Sequence, residues 1–269
     1  MNETPNILWY CSDQQRFDTI AGLGNPHIRT PRLDAFMKEA VTFTHAFCQS
    51  PICTPSRASF LTGMYPSSVA VNGNGNEFFP SHFEDRLITH ALTNNGYDCG
   101  LVGKLHLASA GRGRENRVND GYRYFQYSHS HKGADSSGHD YADWLRACGA
   151  DPHALMAEID PANYQDGAKV KSFGGLYEPT PEADNIPPHL HQTFWCTEKS
   201  IEFVDDQRGD GQPWLLSVNP FDPHPPYDAP WEYYRRHDPD SLPGAHFEES
   251  DLEHQQKLVN AGIDFQSKP

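Results

Sequence analysis

The chain has 269 residues, with 21 Lys and Arg against 36 Asp and Glu, for a net charge of −15. It is long enough to bury a sizeable core, and its acidity argues against nucleic acid or an anionic membrane surface as a partner. No run approaches the roughly 20 apolar residues that span a bilayer. The opening MNETPNILWY lacks the basic and apolar regions of a secretory leader, so a cytoplasmic location is expected. Six cysteines (Cys11, Cys48, Cys53, Cys99, Cys148 and Cys196) stand without paired spacing, which speaks against a disulfide framework or a CxxC zinc site.

NILWYCS, residues 6–12, reads as a short buried strand whose carboxyl end delivers Asp13 and Gln14 to the edge where α/β sheets hold ligands. TPRLDAFMKEA predicts a helix with Thr30 as cap and Pro31 in its first turn. VTFTHAF, residues 41–47, alternates and is β-branched, and predicts a strand. In QSPICTPSRASFLTG, Thr54 as N-cap and Pro55 in the first turn predict a helix over about 56–61, stopped at Gly63. Cys53 then lies at a helix N-terminus. NGNGN, residues 72–76, lacks the lysine of a phosphate loop and reads as a turn.

EDRLITHALTNNGYDCGLVGKLHLA predicts a helix, an Asn-Gly turn and the strand DCGLVG, ending in a polar tip with Lys104 and His106. From 108 to 188 periodicity fades among Gly, His, Asp, Ser and Pro, and an irregular insertion over one face is expected. Its aromatics Tyr122, Tyr124, Phe125 and Tyr127 fit loop packing better than a stacking platform. HLHQTFWCTEKSIEFVDDQ predicts a helix, and PWLLSVNPFDPHPPY a strand ending at Asn219, followed by a proline-stiffened loop with Asp222 and His224. EESDLEHQQKLVNAGIDF predicts one more helix.

In a doubly wound sheet these tips would gather Asp13/Gln14, Cys53/Arg57, Lys104/His106 and Asp222/His224 at one edge. A helix N-terminus, a guanidinium fork and an ammonium suit a tetrahedral oxyanion. Asp13 and Gln14 offer hard oxygens for Ca²⁺ or Mg²⁺, and the two histidines could move protons. Each residue alone has a plainer reading. Cys53 could be an inert thiol, Arg57 a salt-bridged surface side chain, Asp13 a turn residue, and Lys104 with His106 an exposed edge. Their order and grouping favour the shared chemistry.

CTPSRASFLTG resembles the signature of the sulfatase family, Cys-x-Pro-Ser-Arg followed by Ala and then Leu-Thr-Gly, without a gap. The resemblance continues through NILWYCSDQQR, IRTPRLDAF, GYDCGLVGKLHLA and NPFDPHPPY, so it covers nearly the whole chain. It implies an alkaline-phosphatase-like α/β sandwich, with a central mostly parallel sheet flanked by helices, that hydrolyses a small-molecule or saccharide sulfate ester. It further implies that a formylglycine-generating enzyme, directed by Pro55 and Arg57, oxidises Cys53 to formylglycine. The hydrated aldehyde would be the nucleophile: one hydroxyl attacks sulfur and the other drives the release of sulfate. On the same resemblance, Asp13, Gln14 and residue 53 would hold Ca²⁺ (or Mg²⁺ or Mn²⁺). Arg57 would steady the nucleophile, Lys104 would contact the sulfate, and His106 would take the proton that drives release. His224 would contact the sulfate near the leaving oxygen and protonate it.

Two departures from the family pattern stand out. Many members carry Asp-Asp where this chain has Asp13-Gln14, a pattern shared with the branch resembling choline sulfatases and phosphonate monoester hydrolases. Phosphonate monoesters and phosphodiesters therefore stand as alternative substrates. The later Asp-His-Gly or Asp-Asn-Gly segment of the family does not follow His224. Residues 1–269 are thus expected to be the N-terminal part of a longer catalytic domain, with weakened metal binding and turnover. Two other readings remain: a thiol phosphatase using unmodified Cys53, whose usual signature spaces Cys and Arg more widely, and a non-catalytic sulfatase-like module. The alcohol portion of the substrate and the oligomeric state are left open.

Overall fold

The structure, a computed structural model, describes residues 4–110, 114–129, 139–155, 186–207, 211–224, 229–244 and 246–260. Its sheet is built from β1 (Ile7–Tyr10), β2 (Asp98–Gly103), β3 (Tyr124–Tyr127) and β4 (Trp214–Asn219). The strands are all parallel and lie in the order β1-β4-β2-β3. Eight α-helices are described: α1 (Pro31–Met37), α2 (Cys53–Thr62), α3 (Ile88–Asn94), α4 (Asp140–Ala147), α5 (Pro152–Leu155), α6 (Gln192–Asp206), α7 (Trp231–Tyr234) and α8 (Glu249–Asn260).

Strand pleating sorts the core into two layers. Cys99 and Leu101 of β2 and Leu215 of β4 face a cluster that includes Ala58 and Leu61 of α2, with Leu87 and Tyr97 beside α3. Val102, Leu216 and Val218 face the opposite way, onto Tyr141 and Leu145 of α4 and Trp195 and Phe203 of α6. The central strands are buried on both faces because helices cover each side, which is why DCGLVG and WLLSV read as continuous apolar runs. Each fully buried side chain in these layers contributes about 1.5–3 kcal/mol through removal from water.

Two glycines of β2 answer to packing. A Cβ at Gly100 would lie 2.9 Å from the Phe203 ring, and one at Gly103 would lie 2.1 Å from the Asn219 carbonyl oxygen. Gly103 also has φ +103, a conformation that favours glycine, so the carboxyl ends of β2 and β4 can close together.

Several local expectations need correction. Residues 41–47 form no strand; Val41, Phe43 and Phe47 are about 80% exposed. A β-branched pattern gives a strand only where a partner edge pairs with it, and none of the described strands does so. β1 forms as expected but is not buried: it pairs on one side with β4, and Leu8 and Tyr10 are 60% and 58% exposed. The 108–188 stretch is not wholly irregular, since it contains β3, α4 and α5, and β3 extends the sheet by parallel pairing with β2. Residues 111–113, 130–138 and 156–185 of that stretch lie outside the described residues. The helices at 30–40 and 189–207, the strands at 98–103 and 214–219, and α8 as far as Asn260 lie where the sequence put them.

The chain divides into two compact units, Met1–Tyr234 and Arg235–Pro269. The second contains α8, whose first turn carries Glu249 and Asp251 against the positive end of the helix dipole. All six cysteines are free thiols. No helix among the described residues is long and apolar enough to cross a membrane.

Candidate active site

The carboxyl ends of all four strands open onto one edge, where parallel α/β sheets place their ligands. β1 hands over to Asp13, β2 to Lys104 and His106, β3 to Ser128 and His129, and β4 to Asn219 and the loop bearing His224. Helix α2 brings Cys53 to the same cluster. Oxygen, sulfur and ring-nitrogen atoms of Asp13, Cys53 and His224 all lie within 4.8 Å of one another.

α2 begins one turn earlier than the spacing suggests. Its N-cap is Ile52, and Cys53 is the first helical residue, so Thr54 is not the cap. The Thr54 N–H instead donates to the side-chain oxygen of Asn74 at 3.0 Å, from the NGNGN segment that reads as an ordinary turn. Asn74 thereby takes over the capping work that no neighbour in sequence performs. Gly63 closes the helix with φ +68, its N–H donating to Ser59.

Behind Cys53 lies a buried charge network. Lys104, 1% exposed, donates through Nζ to Asp13 Oδ2, and Arg57 Nη2 lies 3.8 Å from the same oxygen. Arg57 Nη1 donates to the Lys104 carbonyl at 2.8 Å, and Asn219 Nδ2 donates to that carbonyl at 2.9 Å. Burial pushes the Asp13 carboxyl up, but the charges of Lys104 and Arg57 and the Lys104 hydrogen bond outweigh it, and its pKa is lowered. Two cations thus converge on one carboxylate, leaving the cluster positive and suited to an anion.

His106 is 7% exposed and sits at φ +54, a left-handed backbone unusual for a non-glycine residue. Burial first, then the charges of Lys104, Arg57 and His224, push its pKa down to about 2, so the ring is neutral. Its ring meets His129 edge to face at 4.4 Å, and His129 is pushed well below the usual histidine range chiefly by burial. Glu115, 4% exposed, accepts from the Leu107 N–H at 3.4 Å, and burial raises its carboxyl to about 8.

Asp13, Cys53, Arg57, Lys104, His106 and His224 are therefore gathered at one edge, as the sequence suggested. Gln14 follows Asp13 at φ +59 with an exposed side chain. The His224 ring packs tilted against Phe221 at 4.5 Å, and the His224 backbone N–H donates to the Phe221 carbonyl at 3.1 Å. Asp222 holds the near side of this loop: its carbonyl accepts from the Asp13 N–H at 3.3 Å, and its peptide bond to Pro223 is cis. Sequence reasoning missed Asn74, Asn219 as a side-chain donor, Glu115 and His129. The first two stood at a turn and a strand end, where side-chain amides often bond backbone. Glu115 and His129 carried no periodic signal.

For a divalent cation, the Asp13 carboxylate and the His224 imidazole are fitting donors. Residue 53 completes the group, and an oxygen there would suit a hard cation better than the thiol.

The Sulfatase family model matches residues 5–243. An ulvan-active sulfatase of Formosa agariphila is 31% identical over 239 residues, covering 88% of this chain and 39% of the relative. An arylsulfatase of Clostridium perfringens is 29% identical over 245 residues, 89% of this chain and 47% of the relative. The phosphonate monoester hydrolase structure of Agrobacterium radiobacter superposes with a TM-score of 0.66 at 24% identity, covering 96% of this chain and 49% of that one, and shares the fold. The chain thus spans less than half the length of these relatives. A match over residues 5–243, taking in the Cys53–Arg57 signature and every strand of the sheet, places this chain in the sulfatase family.

Proposed function

We propose that the chain carries the nucleophile and anion-binding part of a sulfuric ester hydrolase. The observation that supports this most is the buried pairing of Lys104 and Arg57 on Asp13, beside Cys53 at the start of α2. Residues 1–269 would be the N-terminal part of the catalytic domain, with 108–188 as a loop-rich insertion. A cytoplasmic setting fits the six free thiols.

The substrate is a sulfate monoester of a small molecule or saccharide, hydrolysed as ROSO₃⁻ plus water to the alcohol, sulfate and a proton. Cys53 would be converted to formylglycine by a generating enzyme reading Pro55 and Arg57, the Cβ–S bond breaking with loss of the sulfur and an external two-electron oxidant taking up the electrons, and the hydrated aldehyde would supply an oxygen nucleophile and a second hydroxyl for sulfate release. A divalent ion, Ca²⁺, Mg²⁺ or Mn²⁺, would be held by Asp13 and residue 53, with the exposed Gln14 as the further oxygen donor that the family resemblance implies, and would supply electrostatic stabilisation of the anion.

Arg57 and Lys104 bind and orient the sulfate oxygens, the guanidinium as a fork and the ammonium as a point charge. His224, on the loop after β4, gives a proton to the leaving oxygen. His106 accepts the proton that accompanies release of sulfate. Its neutral ring is the acceptor form, and the arriving anion offsets the Lys104 and Arg57 charges that depress its basicity.

Gln14 favours a second reading, hydrolysis of a phosphonate monoester or phosphodiester on the same cluster, because a neutral amide in place of a carboxylate lowers the negative charge facing the substrate. Tandem mass spectrometry of tryptic peptide 39–57 from the native host tests the main reading, with Cys48 as the internal control. Aldehyde at position 53 with an intact Cys48 is the expected result. A thiol at 53 in a host able to convert it removes the sulfatase-type nucleophile and leaves the thiol enzyme or the non-catalytic module.

A further inference from the structure

A histidine that moves protons is usually oriented by the hydrogen bond its other ring nitrogen makes. His106 lacks that device, because its Nδ1 is buried with no hydrogen-bond partner among the described residues. Its backbone stands at φ +54, a left-handed conformation that a non-glycine residue keeps only where its surroundings impose it. The direction of the ring therefore follows from whatever holds this turn.

Glu115 holds it. Its side chain is buried, its Oε1 accepts from the Leu107 N–H at 3.4 Å, and the His106 N–H bonds the same carboxyl. Those two N–H groups flank the α-carbon of His106, so one side chain fixes the peptide on either side of it. The loop is clamped around this point: Asn76 Nδ2 donates to the Leu107 carbonyl at 3.0 Å, and the Ser109 N–H donates to the Asn76 carbonyl at 2.8 Å. Glu115 is in turn anchored to the sheet, its own N–H donating to Oη of the buried Tyr127 at the end of β3 at 3.2 Å.

Filling space does not account for the residue type. An apolar side chain would do so without burying a carboxyl whose Oε2 has no hydrogen-bond partner among the described residues. Only an acceptor of this reach can bond both N–H groups. We infer that Glu115 is a positioning residue, which by holding the turn at His106 and Leu107 aims the His106 imidazole for the proton transfer that accompanies release of sulfate. The inference rests on the role given to His106 in that reaction.

This role has a kinetic signature. Attack on sulfur precedes the step that His106 serves, so a misdirected ring slows only the second step, which lowers kcat and KM together and leaves kcat/KM in place.

The test uses the full-length protein with Glu115→Ala, Glu115→Asp and Glu115→Gln. Hydrolysis of 4-nitrophenyl sulfate is followed in each, together with the magnetic resonance signal of the His106 ring in histidine-labelled protein, assigned by its loss in His106→Asn. Alanine removes the acceptor, and aspartate, which withdraws it by one methylene, carries the comparison should the alanine variant not fold. Both are expected to lower kcat and KM about tenfold or more, with kcat/KM within about threefold of the parent and the His106 signal displaced. Glutamine keeps the acceptor and should restore rates and signal. A fall in kcat/KM with KM unchanged marks general damage to the cluster, which overturns the positioning role and leaves the reaction standing. Unchanged rates, or an unmoved signal, overturn it too. In a protein that hydrolyses no ester, a signal displaced in the aspartate variant and restored by glutamine supports the hold on His106 and overturns the reaction, and an unmoved signal overturns both.

Discussion

The guanidinium of Arg57 donates to the backbone carbonyl of Lys104 at 2.8 Å, joining the first turns of α2 to the carboxyl end of β2 across 47 residues of sequence. Through this bond the helix that begins at Cys53 and the strand that leads to Lys104 hold a common position. Arg57→Lys keeps the charge but loses the planar fork. The expected result is a stability loss of about 1–3 kcal/mol by urea unfolding, with kcat/KM down about 100-fold or more in the full-length enzyme. Unchanged stability and activity would show that a point charge is enough here.

Asp13→Asn removes the carboxylate on which two buried cations converge. Leaving Lys104 and Arg57 without it should cost about 3–5 kcal/mol, read as a fall in urea midpoint, and should abolish any Ca²⁺ heat in calorimetry. Because the folded Asp13 pKa lies below its ordinary value of 3.8, its contribution is present above that value and is lost as pH falls below it. The variant should therefore show a flatter stability profile below about pH 4 than the parent.

Gly103→Ala places a methyl group 2.1 Å from the Asn219 carbonyl oxygen and strains a backbone at φ +103. Gly63→Ala, at φ +68 with open space around it, carries the backbone strain alone. The second should cost about 1–2 kcal/mol and the first clearly more, because β2 and β4 must also separate. Equal denaturation midpoints for the two would mean that the strands close by another route.

Glu115 has its carboxyl raised from 4.5 to about 8 by burial. A raised folded pKa means that its contribution is complete below the unfolded value and is lost as pH climbs through the folded one. Stability should thus decline between about pH 4.5 and 8 as the unfolded chain ionises first. Glu115→Gln should flatten that decline in urea midpoints measured across the window. An identical slope in both proteins would assign the pH dependence to another group.

Residue type and local spacing were enough to reveal most of the elements and nearly all of the residues that the strand ends gather around Cys53. The apolar run of β2, the Asn-Gly turn before it, Gly63 at the end of α2 and the order Asp13, Cys53, Lys104, His224 are all local properties, set by side-chain periodicity and backbone preference. VTFTHAF carries the same strand pattern and forms none, because a strand needs a partner edge that local sequence does not encode. β1 looked buried and is exposed, since burial depends on what covers a face and not on the apolarity of the face itself.

Other features were decided only by the tertiary structure. Asn74 caps a helix that starts 21 residues earlier, Asn219 fixes the Lys104 carbonyl just past β2, and Glu115 and His129 back the loop of His106. Each depends on a partner distant in sequence, so no local window contains the signal. The charge state of His106 has the same origin. Its composition is that of any histidine, and only burial beside Lys104, Arg57 and His224 keeps the ring neutral, because desolvation and like charge act through space and not along the chain.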